Sequence, residues 1–163
     1  MKTELQKMID GCTSELNEIK RIIHELKPLD KTKAYLTMYA LMKASGTIEF
    51  VYRSIVADYF EAFNIHQIDY HLEKFVRKGH SSAKYNEMLK LLENFDENWH
   101  RCFKQNVNNR RDSNRLIQSS ESLVSNRHLF AHGRQPTATF EEIYNYYLDC
   151  LELVKEFDSA VHN

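Results

Sequence analysis

The chain has few of the residues that build tight turns. It contains four glycines and two prolines in 163 residues, too few for the many turns of a β-sandwich or β-barrel. Its three cysteines, Cys12, Cys102 and Cys150, are an odd number without metal-type spacing, which is typical of reduced thiols. No apolar run approaches the roughly 20 residues that a membrane-spanning helix needs, and no signal-peptide pattern opens the chain. We therefore expect a cytoplasmic protein without a membrane partner.

A strong net charge is also missing, because the formal charge is −1. The charges are nevertheless unevenly distributed. The segment 101–134 carries seven basic and two acidic residues, a net charge of +5, which leaves −6 for the rest of the chain. A basic segment on an acidic body is compatible with local phosphate binding, although a solvated loop would have the same composition. The arginines that we predict to contact RNA are Arg110, Arg111, Arg115 and Arg134.

The apolar residues, by contrast, are plentiful and recur at helical spacing. They make up 42% of the chain and include 12% aromatic residues, enough for a packed core. The periodicity predicts helices over residues 3–27, 31–63, 65–78, 81–104 and 113–132, a loop over 105–112 and a last helix after residue 139. We expect an all-α fold in which a single domain, residues 1–163, forms an up-and-down bundle of five to six helices.

Local signals mark several helix boundaries. Pro28 is expected to end the first helix, because the residue before a proline avoids the α conformation. Asp30 and Ser81 are predicted to cap the second and fourth helices. Thr139 and Glu142 have the spacing of a capping box for the last helix.

The segment 31–63 is the most apolar of the predicted helices. Its apolar positions occupy more than one face, which predicts the central, most buried helix. Glu49 lies within this segment, where an unpaired carboxylate would be costly. A buried glutamate usually has a partner, and an arginine is the obvious one. A position at the solvent-exposed edge of the helix is equally compatible with the sequence.

The densest group of phosphate-binding and proton-transferring side chains lies in residues 125–133, Ser-Asn-Arg-His-Leu-Phe-Ala-His-Gly. His128 and His132 are four residues apart and therefore share one face of a helix. Arg127 is about 140° from His132 around the helix axis, so it must reach across or lie where the helix is distorted. An arginine can hold a phosphate through two hydrogen bonds, and a histidine can transfer protons near neutral pH.

This combination, without a carboxylate cluster for Mg²⁺, predicts metal-free cleavage of RNA by attack of the ribose 2′-OH. The reaction needs two proton-transfer groups. One chain supplies His132 and His128, and a symmetric dimer would bring two copies of His132 to one phosphate. We expect no cofactor and no metal site, since His66, His71 and His80 lack i, i+4 spacing and a nearby cysteine.

A structural role for the same residues stays open at this point. With nine arginines and eight histidines in the chain, about one arginine with a histidine four to six residues later is expected by chance. The context distinguishes this match: asparagine precedes the arginine, alanine precedes the second histidine, and glycine follows it.

The stretch Arg127-His128-Leu129-Phe130-Ala131-His132 resembles the R-x4–6-H signature of the HEPN superfamily, which often ends in Ala-His-Gly. The likeness is closest to small prokaryotic HEPN ribonucleases of toxin–antitoxin and antiphage-defence type, including the RiboL-PSP-like group. The resemblance implies a HEPN-like helical bundle that dimerises to form a composite ribonuclease site. In that site Arg127 would hold the phosphate, His132 would be the acid or base, and His128 would occupy the polar position after the arginine.

The resemblance also implies supporting residues and partners. An acidic group on the central helix can face the motif in this family, which assigns Glu49 a supporting role. Asn126 directly precedes the arginine and is also expected to have a supporting role. The expected partners are RNA, a second copy of the chain, and an antitoxin or defence-system protein. HEPN toxins silenced by a minimal nucleotidyltransferase commonly carry tyrosine two residues after the motif histidine. Arg134 occupies that position here, which argues against that mode of control.

A second interpretation of the same resemblance is a HEPN-type module that binds RNA or a protein without cutting it. Family members of that kind tend to lose the arginine or the histidine, and this chain has both.

Overall fold

The computed structural model describes residues 1–27, 29–79 and 81–162, and within these ranges it contains helices and no strand. The helices are α1 (Thr3–Glu25), α2 (Lys31–Glu61), α3 (His66–His71), α4 (Tyr85–Glu93), α5 (Glu97–Asn108), α6 (Ser113–Ala131) and α7 (Phe140–His162). A π-helical turn, Leu72–Arg77, follows α3 directly. The predicted all-α class is confirmed. Over the described ranges the helices number seven, above the five to six predicted.

The central position of α2 agrees with its apolar composition. It packs most extensively against α7, with α1 and α6 also in contact with it. Tyr52 of α2 is fully buried and meets the edge of the Phe157 ring of α7 at a centroid distance of 5.6 Å; such pairs add about 0.5–1.5 kcal/mol beyond the burial of their area. Because α6 packs on both α7 and α2, these two helices fix the position of the helix that carries the motif.

Two predicted caps are confirmed. The Asp30 carboxylate accepts a hydrogen bond from the backbone N–H of Thr32 at 2.8 Å. The backbone N–H of Thr139 donates to the Glu142 carboxylate at 2.8 Å, and the N–H of Glu142 donates to the Thr139 hydroxyl at 3.3 Å. This reciprocal pair is a capping box, and it fixes the start of α7 shortly after the motif.

The predicted helix over residues 81–104 is wrong in its continuity, because it divides into α4 and α5. The Asp96 carboxylate accepts hydrogen bonds from the backbone N–H groups two and three residues further on, at 2.6 and 3.0 Å, and starts a new helix. The predicted cap at Ser81 is also wrong, since α4 begins at Tyr85. The predicted loop at 105–112 is shorter than expected, because α5 continues to Asn108.

Two sequence-based expectations, the helix end at Pro28 and the exclusion of His80 from a metal site, lie outside the described residues. Among the residues that the structure does describe, no helix combines the length and the apolar character needed to cross a membrane.

Candidate functional site

The motif occupies the last turn of α6 and the sharp turn that ends it. His132 is the C-terminal cap, and Gly133 follows with a φ of +69°, a conformation that glycine adopts readily. The N–H of Gly133 donates to the Phe130 carbonyl at 3.0 Å, and the N–H of Arg134 donates to the Leu129 carbonyl at 2.9 Å. This pattern is a Schellman motif. The glycine after the second histidine therefore reverses the chain and leaves His132 and Arg134 exposed at the helix end.

The two motif histidines lie side by side on this exposed turn, as their spacing predicts. The ring centroids of His128 and His132 are 4.3 Å apart, with 63° between the ring planes. Neither ring makes a hydrogen bond or an ion pair with another of the described residues. The nitrogen atoms of both rings are therefore free to contact a ligand.

Arg127 reaches from α6 to α2. Its Nη2 lies 3.5 Å from Oε2 of Glu49, whose other carboxylate oxygen accepts a hydrogen bond from the Ser45 hydroxyl at 3.3 Å. Glu49 is buried and thus has the arginine partner that an acidic group in this position needs. Because α6 continues as a regular helix to Ala131, no bend brings Arg127 round towards His132, and its side chain extends towards Glu49.

The ion pair leaves Arg127 available to an anion. Its side chain is 37% exposed, so part of the guanidinium faces solvent. A partly exposed pair at this distance contributes only about 0–1 kcal/mol. The five N–H donors of a guanidinium exceed what one carboxylate contact uses. Glu49 can therefore orient Arg127 while the remaining donors hold a phosphate.

Asn126 is buried and connects the chain after the motif back to α6. Its Oδ1 accepts hydrogen bonds from the backbone N–H groups of Thr137 and Ala138, at 2.9 and 3.0 Å. Its Nδ2 donates to the Ser122 carbonyl at 2.9 Å. The first two bonds hold the segment 134–139 against α6, and the third orients the Asn126 side chain on its own helix.

Two open clefts meet at Arg134. One has a volume of about 410 Å³ and is lined by both motif histidines. The other, of about 310 Å³, lies between α2 and the turn after α6, and Tyr35 and Phe130 line it. The Arg134 side chain borders both clefts and makes no hydrogen bond or ion pair with another described residue.

The backbone at this end of α6 does not favour an anion. The C-terminal end of a helix carries a partial negative charge, unlike the N-terminal ends that commonly bind phosphates. A phosphate in these clefts therefore depends on side-chain cations, and Arg134 is the cation that lines both clefts. In the described part of the chain, no group of three or more His, Cys, Asp and Glu side chains is arranged to hold a metal ion.

Of the four arginines predicted to contact RNA, the structure brings only Arg134 to the motif. Arg115 lies in the first turn of α6, and about 25 Å of helix separates it from His132. Arg110 and Arg111 precede α6 and belong to the same distant end. A single nucleotide at the motif cannot contact both groups of arginines.

Carboxylates already neutralise two of the distant arginines. Arg110 pairs with Asp112 and with Glu156, each at 2.9 Å, and its hydrogen bond holds the pKa of the Asp112 carboxyl well below the usual range. Arg115 pairs with Asp112 at 3.0 Å and with the buried Asp149 at 3.1 Å. These contacts favour a structural role in joining α6 to α7.

One comparison with known proteins finds a matching protein family. A family model described as RiboL-PSP-HEPN matches residues 10–163, a range that includes Glu49 and the whole motif. No curated protein and no solved structure matches the chain.

Proposed function

The chain belongs to the RiboL-PSP-HEPN family, and on that premise we propose that it is a metal-independent endoribonuclease of toxin–antitoxin or antiphage-defence type. The observation that carries the proposal is that the arginine and the two histidines of the motif lie together at the exposed end of α6. Arg127 is oriented by Glu49 there, and the rings of His128 and His132 contact each other but make no hydrogen bond or ion pair with another described residue. The side chains offered are guanidinium and imidazole groups, whereas Mg²⁺ prefers clustered oxygen ligands.

The proposed reaction transfers the phosphoryl group within the RNA chain. A general base removes the proton of the ribose 2′-OH, the 2′-oxygen forms a bond to the adjacent phosphorus, and the bond from phosphorus to the 5′-oxygen breaks. A general acid gives its proton to the departing 5′-oxygen. The products are a 2′,3′-cyclic phosphate and a 5′-hydroxyl end. Arg127 holds the non-bridging oxygens, on which negative charge grows, and His132 transfers a proton.

The contact between the two histidines favours a site shared by two chains. In such a displacement the attacking and leaving oxygens lie roughly in line on opposite sides of the phosphorus. The rings of His128 and His132 are only 4.3 Å apart, so a phosphate cannot fit between them as it must between acid and base. His132 from a second copy, related by two-fold symmetry, would supply the missing group.

This dimer predicts that one inactive chain silences its partner. When wild-type and His132→Ala chains are mixed in equal amounts and allowed to exchange subunits, we expect about a quarter of the cleavage of an all-wild-type sample, because only a quarter of dimers carry two His132 rings. Cleavage of about half would indicate that each chain works alone and would contradict the shared site. The His71→Ala variant, which changes an exposed histidine of α3, serves as the control and should leave the rate unchanged.

The cellular partner is part of the same proposal. A toxin or defence ribonuclease needs an antitoxin or a defence-system protein that restrains it. Arg134 borders both clefts, so a partner that covers this residue would also block the motif. An acidic surface on the partner would complement the arginine.

One observation favours an alternative function. Arg127 pairs with Glu49 within the same chain, which gives the arginine a structural role that requires no catalysis. A non-catalytic HEPN-type module that binds RNA or a protein would need no more than the present surface. Such a module would keep its affinity for RNA after His132→Ala and would form no product.

The test of the proposed function is incubation of purified protein with RNA in EDTA, beside DNA of the same sequence. We expect the RNA to be cut and the DNA to stay intact, because DNA lacks the attacking 2′-OH. Intact RNA, or equal cleavage of both polymers, would contradict the proposed chemistry.

A further inference from the structure

We propose that the cleft between Tyr35 and Phe130 is a nucleobase subsite. It would hold one unpaired base of the RNA strand whose phosphate lies at His132 and Arg134. This inference rests on the proposed ribonuclease function and deepens it, since it makes the substrate a single-stranded RNA with an unstacked base beside the phosphate that is cut.

Both aromatic side chains are exposed to solvent. Tyr35 is 72% exposed on the first turns of α2, and Phe130 is 40% exposed on the last turn of α6. Tyr35 makes no hydrogen bond or ring contact with another described residue. Exposed aromatic side chains that flank a cleft mark ligand sites, and unpaired bases stack on such rings in RNA-binding proteins.

The size and the rim of the cleft suit a planar ring. Its volume is about 310 Å³, at the lower end of the range of small-molecule sites. Met38 contributes an apolar surface, and the Gln135 amide at the rim can both donate to and accept from a base edge.

The cleft is also continuous with the motif. Arg134 borders both this cleft and the one lined by His128 and His132. A base in the first cleft and a phosphate in the second would therefore be neighbours, with one guanidinium between them. This continuity favours a nucleotide over a second copy of the chain as the occupant.

The experiment measures binding, so that it does not depend on cleavage. Uridine and adenosine 3′-monophosphates and inorganic phosphate are titrated in EDTA into wild type, Tyr35→Ala, Tyr35→Phe and Tyr70→Ala by calorimetry. Tyr70 lies on α3 and is 64% exposed, which makes it a matched control. We expect wild type to bind at least one nucleotide about tenfold more tightly than phosphate. Tyr35→Ala should erase this advantage, and the other two variants should keep it.

Three results would overturn the subsite. The first is that neither nucleotide binds more tightly than phosphate, and the second is that the advantage of the nucleotides survives in Tyr35→Ala. A dimer that dissociates on Tyr35→Ala without base-dependent affinity would instead identify a second copy as the occupant. The experiments distinguish failure of the subsite from failure of the proposed ribonuclease function. If wild type and Tyr35→Ala cut RNA equally well, only the subsite is contradicted. Nucleotide binding that depends on Tyr35, in a protein that does not cut RNA, would support the subsite and contradict the proposed ribonuclease function.

Discussion

Replacement of His132 by alanine is expected to lower kcat/KM for RNA cleavage by about 10²–10⁴-fold, the usual effect of losing a general acid or base. His132 is exposed, its ring makes no hydrogen bond or ion pair with another described residue, and it caps α6 only through its backbone. The free energy of unfolding should therefore stay within about 0.5 kcal/mol of wild type, as for other surface substitutions. The measurement is the initial rate of cleavage of a fluorescent RNA in EDTA, beside a urea unfolding curve of each protein.

The shape of the side chain can be separated from its chemistry. His132→Asn keeps a polar side chain but cannot exchange a proton near neutral pH, so it should be as inactive as the alanine variant. His71→Ala should cleave at the wild-type rate. A His132→Asn protein with more than about a tenth of wild-type activity would show that proton transfer at this position is not what the reaction needs, since such a group contributes at least about 100-fold.

Replacement of Asn126 by alanine is expected to reduce both stability and activity. It removes an acceptor shared by the N–H groups of Thr137 and Ala138 and a donor to the Ser122 carbonyl. Loss of a partner for a buried polar group costs about 1–3 kcal/mol, and the segment 134–139, which carries Arg134, would no longer be held against α6. Urea unfolding and the rate of RNA cleavage check the two effects.

A matched substitution is available on the same helix. Asn114 is exposed near the start of α6, and Asn114→Ala should change the free energy of unfolding by no more than about 0.5 kcal/mol. Asn126→Asp keeps the acceptor oxygen and should recover part of the lost stability. Equal stability of Asn126→Ala and Asn114→Ala would contradict a holding role for Asn126.

The sequence was sufficient for features that depend on local spacing. Helical periodicity predicted an all-α bundle because it arises within each helix and needs no knowledge of neighbours. The contact between His128 and His132 followed from an i, i+4 spacing on one helix. The capping box at Thr139 and Glu142 likewise depends only on residues three apart.

Features that depend on neighbouring helices could not be predicted in this way. The apolar spacing runs on across Asp96, so periodicity alone does not show that the Asp96 carboxylate caps a new helix there. The pairing of Arg110 with Glu156 requires that α7 lie beside the start of α6. A basic segment therefore looked like an RNA surface, although Arg110, Arg115 and Arg127 are paired with carboxylates within the protein.

The same limit applies to the site itself. A buried partner for Glu49 was one of two open possibilities, and only the packing of α6 on α2 identified Arg127 as that partner. Tyr35 carried no distinguishing sequence signal, because an aromatic residue in an apolar helix is usually part of the core. Its exposure and its proximity to the motif arise from the crossing of two distant segments.

The most direct test of the account is the identity of the ends left on RNA cut in EDTA by wild type, Arg127→Ala and His132→Ala. Mass spectrometry of the fragments distinguishes a 2′,3′-cyclic phosphate from other ends. We expect wild type alone to release fragments with a 2′,3′-cyclic phosphate and a 5′-hydroxyl. Intact RNA with wild type, or the same fragments at undiminished rate from both variants, would contradict the assignment of Arg127 and His132 to metal-free RNA cleavage.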